Sequence, residues 1–294
     1  MDTISPFPGQ YNGSYGDIDN SIDFVSTPPP STKARLPHYS TEKLKIMAKL
    51  MDELEDMGVL ATPEDAGVTP AFVVPSLLMP KPEKGTWRLV SDFTPLNIHI
   101  RKFQTVSPTI QDAKKMLAKY KYNIECDLSH CFFQGGMRKE DIQYLATPHP
   151  YKGLRVYCVE PQGLRNASEH SYERLSRIFG DLCMEERMTR MADGLYILAD
   201  TPQELLQNFT LVLTRARTAG LTFKPKKIVI APKETILFGW KKSGDGWKPT
   251  NHTITPLSQA PEPSTVKQLR SFLGSVKQLT ECMENYAAIR FLVP

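Results

Sequence analysis

The sequence predicts an α+β fold, and three observations predict it. Apolar residues recur at helical spacing in several long stretches, short β-prone runs bounded by turn residues lie between them, and the two kinds are mixed without regular βαβ alternation. The 294 residues suffice for one large domain or two modest ones. With 40% hydrophobic and 23% charged residues, most of the chain is expected to bury an ordinary core.

Residues 1–40 are the exception. They are rich in Gly, Ser, Asp and Pro, carry the run Pro28-Pro29-Pro30 and lack apolar periodicity, so they are expected to be a disordered leader or linker. A helix is predicted from Thr41, where Leu44, Met47, Leu50, Met51 and Leu54 fall on one face, and Gly58 ends it. Ala71–Pro75 and Trp87–Val90 read as strands joined by a polar turn over Lys81–Gly85. A helix over Thr109–Tyr120 and a strand over Tyr122–Asp127 follow.

The helix starting near Ser168 places Tyr172, Leu175, Ile178, Phe179 and Leu182 at helical spacing. The next starts at Thr201, with Pro202 at the first helical position and Glu204 completing a capping box. Leu205, Phe209, Val212, Leu213 and Ala216 form its buried face, and Gly220 stops it. Between these helices Met188–Leu198 reads as strand–turn–strand. Thr222–Trp240 supplies two more strands, and a long helix follows Ser264.

Charge narrows the function little. The 36 basic and 32 acidic side chains give +4, which suits a nucleic-acid partner without requiring one. The five cysteines are odd in number and form no C-x-x-C pair, which points to a reducing, intracellular compartment, cytoplasmic or nuclear. No apolar run has the length of a signal or a membrane span, so a soluble chain with no membrane partner is expected.

Two acids carry the candidate chemistry. Asp127 ends an apolar-flanked strand, and Asp193 sits at the tip of the predicted hairpin. Carboxylates on neighbouring strand ends can hold two Mg²⁺ ions roughly 4 Å apart, the arrangement of in-line phosphoryl transfer. Either aspartate alone reads equally as a strand-end or turn residue.

The surrounding words lend weight to the catalytic reading. Trp87-Arg88-Leu89-Val90-Ser91-Asp92-Phe93 with Leu96-Asn97 comes first, then Asp127-Leu128-Ser129-His130-Cys131-Phe132-Phe133-Gln134, then Pro161-Gln162-Gly163-Leu164-Arg165-Asn166-Ala167. Met191-Ala192-Asp193-Gly194, Leu221–Lys227 with Leu237-Phe238-Gly239-Trp240, and Thr265–Gly274 complete the order. In this order they resemble the reverse transcriptases of gypsy-type and related LTR retrotransposons, over about residues 41–290.

That resemblance implies a right-hand polymerase fold, with fingers and palm over 41–240 and a partial thumb or connection segment over 241–294. It implies RNA-directed DNA synthesis with two Mg²⁺ ions, Mn²⁺ being a substitute. The implied partners are an RNA or DNA template with its primer, deoxynucleoside triphosphates and other domains of a parent polyprotein. Asp127, Asp193 and the carbonyl of Leu128 would hold metal. Lys81 and Arg88 would contact the triphosphate, Arg offering a planar fork for phosphate oxygens. Cys131, Phe132 and Gln162 would line the nucleotide, with Phe132 excluding a 2′-OH. Phe238, Gly239 and Trp240 would grip the primer end, and Lys226 or Lys227 would protonate the leaving pyrophosphate. Lysines and arginines clustered in the C-terminal third would track phosphates.

One position departs from the pattern. Gly194 stands where active relatives have a second aspartate, so one ligand and one negative charge are lost. The expected fold is untroubled, because Asp-Gly is a favoured two-residue hairpin turn. No spare acid is seen to substitute, since Glu125 is expected to point away from Asp127 if the strand stays regular. The expectation is an impaired polymerase; the alternative is a catalytically inactive, template–primer-binding relic or repurposed protein.

Overall fold

Ser40 starts the first helix where the periodicity places it, its hydroxyl accepting from the Lys43 amide at 3.4 Å. The structure, a computed structural model, describes residues 19–31, 35–83, 85–105, 107–243 and 246–282. In chain order its elements are β1 (Asp19–Asn20), α1 (Thr41–Asp56), β2 (Leu60–Ala61), α2 (Pro63–Ala66), β3 (Ser76–Pro80), β4 (Trp87–Ser91), α3 (Thr94–Asn97) and α4 (Ile110–Lys119). Next come β5 (Tyr122–Asp127), β6 (Gly136–Met137), α5 (Lys139–Ile142), β7 (Ala146–His149), β8 (Gly153–Tyr157), α6 (Ala167–Met184), β9 (Met188–Met191) and β10 (Gly194–Ala199). The chain continues through α7 (Pro202–Thr218), β11 (Val229–Ile230), β12 (Ile236–Leu237), β13 (Trp240–Ser243), β14 (Gly246–Pro249), α8 (Asn251–Ser258) and α9 (Val266–Val276). Helices and antiparallel sheets are mixed as the sequence predicts, and the chain divides into two units, 1–109 with 120–231 and 110–119 with 232–294. No helix among the described residues is long and apolar enough to cross a membrane.

The first unit holds two cores. In one, Met47, Met51, Leu60, Phe72, Leu96 and Val156 gather under α1 and the three-stranded sheet β2–β8–β7. The hairpin β3–β4 stands on this core, paired from Ser76↔Ser91 to Pro80↔Trp87. At its root four hydroxyls form a buried chain: Ser76 lies 2.6 Å from Ser91 and 2.7 Å from Thr147, and Ser91 lies 2.8 Å from Tyr157. The strand expected over Ala71–Pro75 is reduced to bridges at Phe72 and Val73. Pairing with β4 begins only past Pro75, which has no N–H to give a ladder.

Residues 19–31 fall in the stretch expected to be disordered, and they are ordered. β1 pairs with β6, the Arg101 amide donates to the Asp23 carbonyl at 2.7 Å, and Phe24 meets Tyr144 edge-on at 4.8 Å. Ile22 and Phe24 anchor the segment on the first core, a contact that depends on two isolated apolar residues and leaves no periodic pattern. Residues 1–18 lie outside the described residues.

The second core lies beneath the four-stranded sheet β11–β5–β10–β9, which α6 and α7 cover on one face. Ile124 and Cys126 of β5 pair with Ile197 and Leu195 of β10, and all four turn toward the helices. Phe179 and Val212 meet them from α6 and α7. Thr201 caps α7 by accepting from the Glu204 amide at 3.2 Å, but the Glu204 carboxylate takes the Asp200 amide, so the expected box is half formed. The complete capping box belongs to α9, between Thr265 and Gln268.

In the second unit β12, β13 and β14 form an antiparallel sheet. Lys114 of α4 lies 3.6 Å from the ring centre of Trp240, and the Trp247 indole donates to the Lys114 carbonyl at 3.0 Å. The unit comprises 232–294 together with α4.

Candidate active site

The open face of the palm-like sheet is polar because β5 alternates. With Ile124 and Cys126 turned inward, Glu125 and Asp127 share the outer face. This corrects the expectation for Glu125, since a regular strand places residues two apart on the same side. Across the ladder Asp127 faces Gly194 and Glu125 faces Tyr196, so those four positions form one patch.

The hairpin that delivers Asp193 differs from the predicted Asp-Gly turn. Its two tip residues are Ala192 and Asp193, with Ala192 at φ 54°, while Gly194 pairs with Met191 as the first residue of β10. Gly194 is not among the glycines at positive φ. The backbone therefore asks nothing of glycine there, and the missing side chain is a chemical feature only.

Asp127 and Asp193 are close enough to share a hydrogen bond. Burial works to raise the Asp127 pKa, but the hydrogen bond from Lys227 and the charges of Lys224 and Lys227 together outweigh it and hold the carboxyl below the usual range. Lys227 pairs directly with Asp127 Oδ2, and Lys224 Nζ lies 3.5 Å from the same oxygen. Asp193 is pushed the other way, by burial first and then by the negative charge of Asp127. Two acids thus differ in protonation preference although they sit side by side.

Lys224 arrives because β5 is extended by a bridge between Leu128 and Phe223, with the Lys224 amide donating to the Asp127 carbonyl at 2.9 Å. Gln134 fastens the same junction, accepting from the Thr222 amide at 2.9 Å. Of the two lysines expected as proton donors, Lys227 pairs with Asp127, while Lys226 is exposed.

A cavity of about 430 Å³ opens beside Asp193, and Cys131, Phe132, Tyr172, Met191 and Ala192 help line it. Cys131 and Phe132 sit in a 3₁₀ turn that follows His130 at φ 45°. The Cys131 thiol lies 3.0 Å from the Ser171 hydroxyl, and burial pushes its pKa up. Lys81 and Arg88 are exposed on the hairpin β3–β4. Desolvation, then the charges of Lys224 and Lys81, pull the His130 imidazole below its usual range, so the field of Lys81 reaches the rim of the site. Gln162 is exposed and is not among the cavity's lining residues. Its turn is clamped by Asn97, whose amide donates to the Gly163 carbonyl at 3.0 Å and whose oxygen accepts from the Arg165 amide at 2.8 Å.

Phe238, Gly239 and Trp240 belong to the second unit. Phe238 and Gly239, at φ 46° and 81°, form the tight turn between β12 and β13. The Gly239 carbonyl accepts from the Thr250 amide at 2.8 Å and from the Thr253 hydroxyl at 3.0 Å. A Cβ at Gly239 would collide with Thr253, so this turn needs its glycine for space as well as for φ.

Sequence reasoning missed three features. Tyr196 covers Gly194, with its hydroxyl 3.3 Å from where a Cβ would stand. Burial first, then the charges of Glu125, Asp193 and Asp127, push its phenol up to about 12. Glu160, fully buried, binds Asn20 at 2.9 Å and Arg174 at 3.1 Å and pairs with His170. A Cβ at Gly135 would strike the Arg174 guanidinium. Only the i,i+2 spacing of Gly194 and Tyr196 was available as a signal; the Glu160 cluster joins residues too far apart in the chain.

The carboxylates of Asp127 and Asp193 are hard oxygen donors of the kind a Mg²⁺-like ion takes. Among the described residues no group of three or more His, Cys, Asp or Glu could hold a metal ion.

A sheet covered by two helices on one face, with paired carboxylates and lysines on the other, defines the palm of a nucleic-acid polymerase. The chain belongs to the reverse transcriptase (RNA-dependent DNA polymerase) family, whose model matches residues 79–245. Members of this family generally use divalent metal ions. The chain is 27% identical over 205 residues to the Transposon Tf2-3 and Tf2-7 polyproteins of Schizosaccharomyces pombe; the match covers 70% of this chain and 15% of each polyprotein. In fold it is similar to the foamy viral protease-reverse transcriptase solved with double-stranded DNA, at TM-score 0.77 and 20% identity, over 92% of this chain and 45% of that one. The foamy viral enzyme solved with an RNA/DNA hybrid gives TM-score 0.71 and 21% identity, over 90% and 34%.

Proposed function

We propose that this chain copies RNA into DNA by nucleotidyl transfer at Asp127 and Asp193, at a rate lowered by the glycine at 194. The supporting observation is the meeting of these two carboxylates on neighbouring strands, inside the segment that matches the family. Mg²⁺ is the ion we assign, with Mn²⁺ as substitute, and a bound ion would stabilise charge developing on the transferred phosphoryl group. A full pair of ions would need the carboxylate that Gly194 lacks. Losing that stabilisation slows the step by roughly 10²–10⁴-fold.

The chain's own residues have the following parts. Lys81 and Arg88 hold the triphosphate from the fingers hairpin, and Cys131 and Phe132 shape the floor under the sugar. Gln162 touches the nucleotide from the entrance of α6. Lys227 carries a proton at Nζ and gives it to the leaving pyrophosphate. Phe238, Gly239 and Trp240 hold the primer end, and residues 241–294 form a partial thumb or connection segment. The foamy viral enzymes were solved with double-stranded DNA and with an RNA/DNA hybrid, and a template–primer duplex is the partner we assign here. The relatives' polyproteins suggest further domains in a parent polypeptide and an intracellular setting, cytoplasmic or nuclear.

RNA-templated primer extension tests this reading, comparing the chain with Asp193→Asn. Extension that survives the substitution would refute the assignment of the site. Gly194 favours one second reading, a protein that binds template–primer without extending it. Tight filter binding with no extension would establish that reading instead.

A further inference from the structure

We infer that the cleft at Asp127 and Asp193 takes one divalent cation rather than two, and that Lys227 competes with this ion for Asp127. The inference rests on the nucleotidyl-transfer reading given above.

The donor count is the first ground. Gly194 is in register with Asp127 on the same face, so the place where a third carboxylate would face the pair is known, and it carries no side chain. Glu125 shares that face but lies one pleat further along, opposite Tyr196, and no third acid joins the pair among the described residues.

Space is the second ground. The Tyr196 ring edge and hydroxyl both lie 3.3 Å from the position of a Cβ on residue 194. The volume a carboxylate there would enter is lined by a phenol, which presents a single oxygen and no formal charge.

Charge is the third. Lys227 pairs with Asp127, and Lys224 stands 3.5 Å from the same carboxylate oxygen. Two carboxylates and two ammonium groups sum to zero formal charge, so the pair is already neutralised before any dication enters. An arriving ion competes with these ammonium groups for the Asp127 carboxylate. Lys227 is the group able to leave, because its side chain is 60% exposed and follows the short turn at Pro225. Once displaced, its ammonium is available to the anionic phosphates of a nucleotide.

The test is a Mn²⁺ titration of the full chain followed by the electron paramagnetic resonance signal of free Mn²⁺. One ion per chain is expected, lost in Asp127→Asn, with a second ion appearing in Gly194→Asp. Lys227→Met should tighten the single site about tenfold, whereas Lys226→Met, which removes the same charge one residue away, should not. Thermal melting checks that each variant is folded. Two ions on the unsubstituted chain would overturn the inference, as would equal effects of the two lysine substitutions, which would mean a long-range charge effect only. No Mn²⁺ bound while template–primer still binds would overturn the inference and leave the proposed function to the extension assay. Loss of both kinds of binding would overturn the functional reading as well.

Discussion

Replacing Gly194 by aspartate should raise Mg²⁺-dependent primer extension by roughly 10²–10⁴-fold, the range lost when one element of transition-state charge stabilisation is missing. The structure indicates that the fold can accept the change. Gly194 is not at positive φ, so the backbone suits any residue. The new Cβ would sit 3.3 Å from the Met191 carbonyl oxygen and from the Tyr196 ring edge and hydroxyl, a few tenths of an ångström inside comfortable contact. Turning the Tyr196 side chain slightly off its rotamer relieves its two contacts at a cost of about 0.5–1.5 kcal/mol, while the Met191 carbonyl must give by a few tenths of an ångström as well. That is small beside the roughly 5–15 kcal/mol stability of a typical domain. The assay is extension of oligo(dT) on poly(rA) under Mg²⁺ and Mn²⁺, run beside thermal melting and template–primer binding. A folded Gly194→Asp chain that binds template–primer and extends no faster would refute the reasoning.

Three further outcomes are expected. In the extending Gly194→Asp background, Phe132→Ala should relax the exclusion of ribonucleotides by about tenfold or more, read by misincorporation; unchanged sugar discrimination would remove Phe132 from the site. Glu160→Ala should destabilise the chain by about 3–5 kcal/mol in denaturant titration, because it leaves Arg174 buried without its carboxylate. Stability should also fall as pH drops below about 6.5. Burial, against the pull of Asp52, lowers the folded-state pKa of His149, so the unfolded chain takes up its proton first, and the stabilisation present above the unfolded pKa is lost as pH falls toward the folded one. His149→Gln should flatten that part of a melting-temperature profile.

Much of the palm was legible because its signals are local. β5 ends on Asp127 as predicted, the hairpin carries Asp193 at its tip, and α6 and α7 bury the faces that their periodicity marks. The turn lies one residue before the expected Asp-Gly pair, because Ala192 takes the positive φ that the sequence pattern assigns to glycine. The hairpin β13–β14 and the helix α8 escaped for different reasons: the strands are four residues each, and Pro256 lies inside the helix. What the sequence could not display is reach across the chain. Lys224 and Lys227 lie about a hundred residues from Asp127, and the bridge between Leu128 and Phe223, with the pairing of β11 on β5, brings them there.

The hydroxyl chain at the root of the fingers hairpin has a mechanical consequence. From Ser76 to the turn past Pro80 the hairpin is a lever about 17 Å long at the usual rise per residue, so a tilt of about 10° at its base would carry Lys81 by about 3 Å. Ser76, Ser91, Thr147 and Tyr157 bear that pivot with neutral, buried groups. Ionic strength therefore alters what the tip of the lever attracts while leaving its neutral pivot untouched.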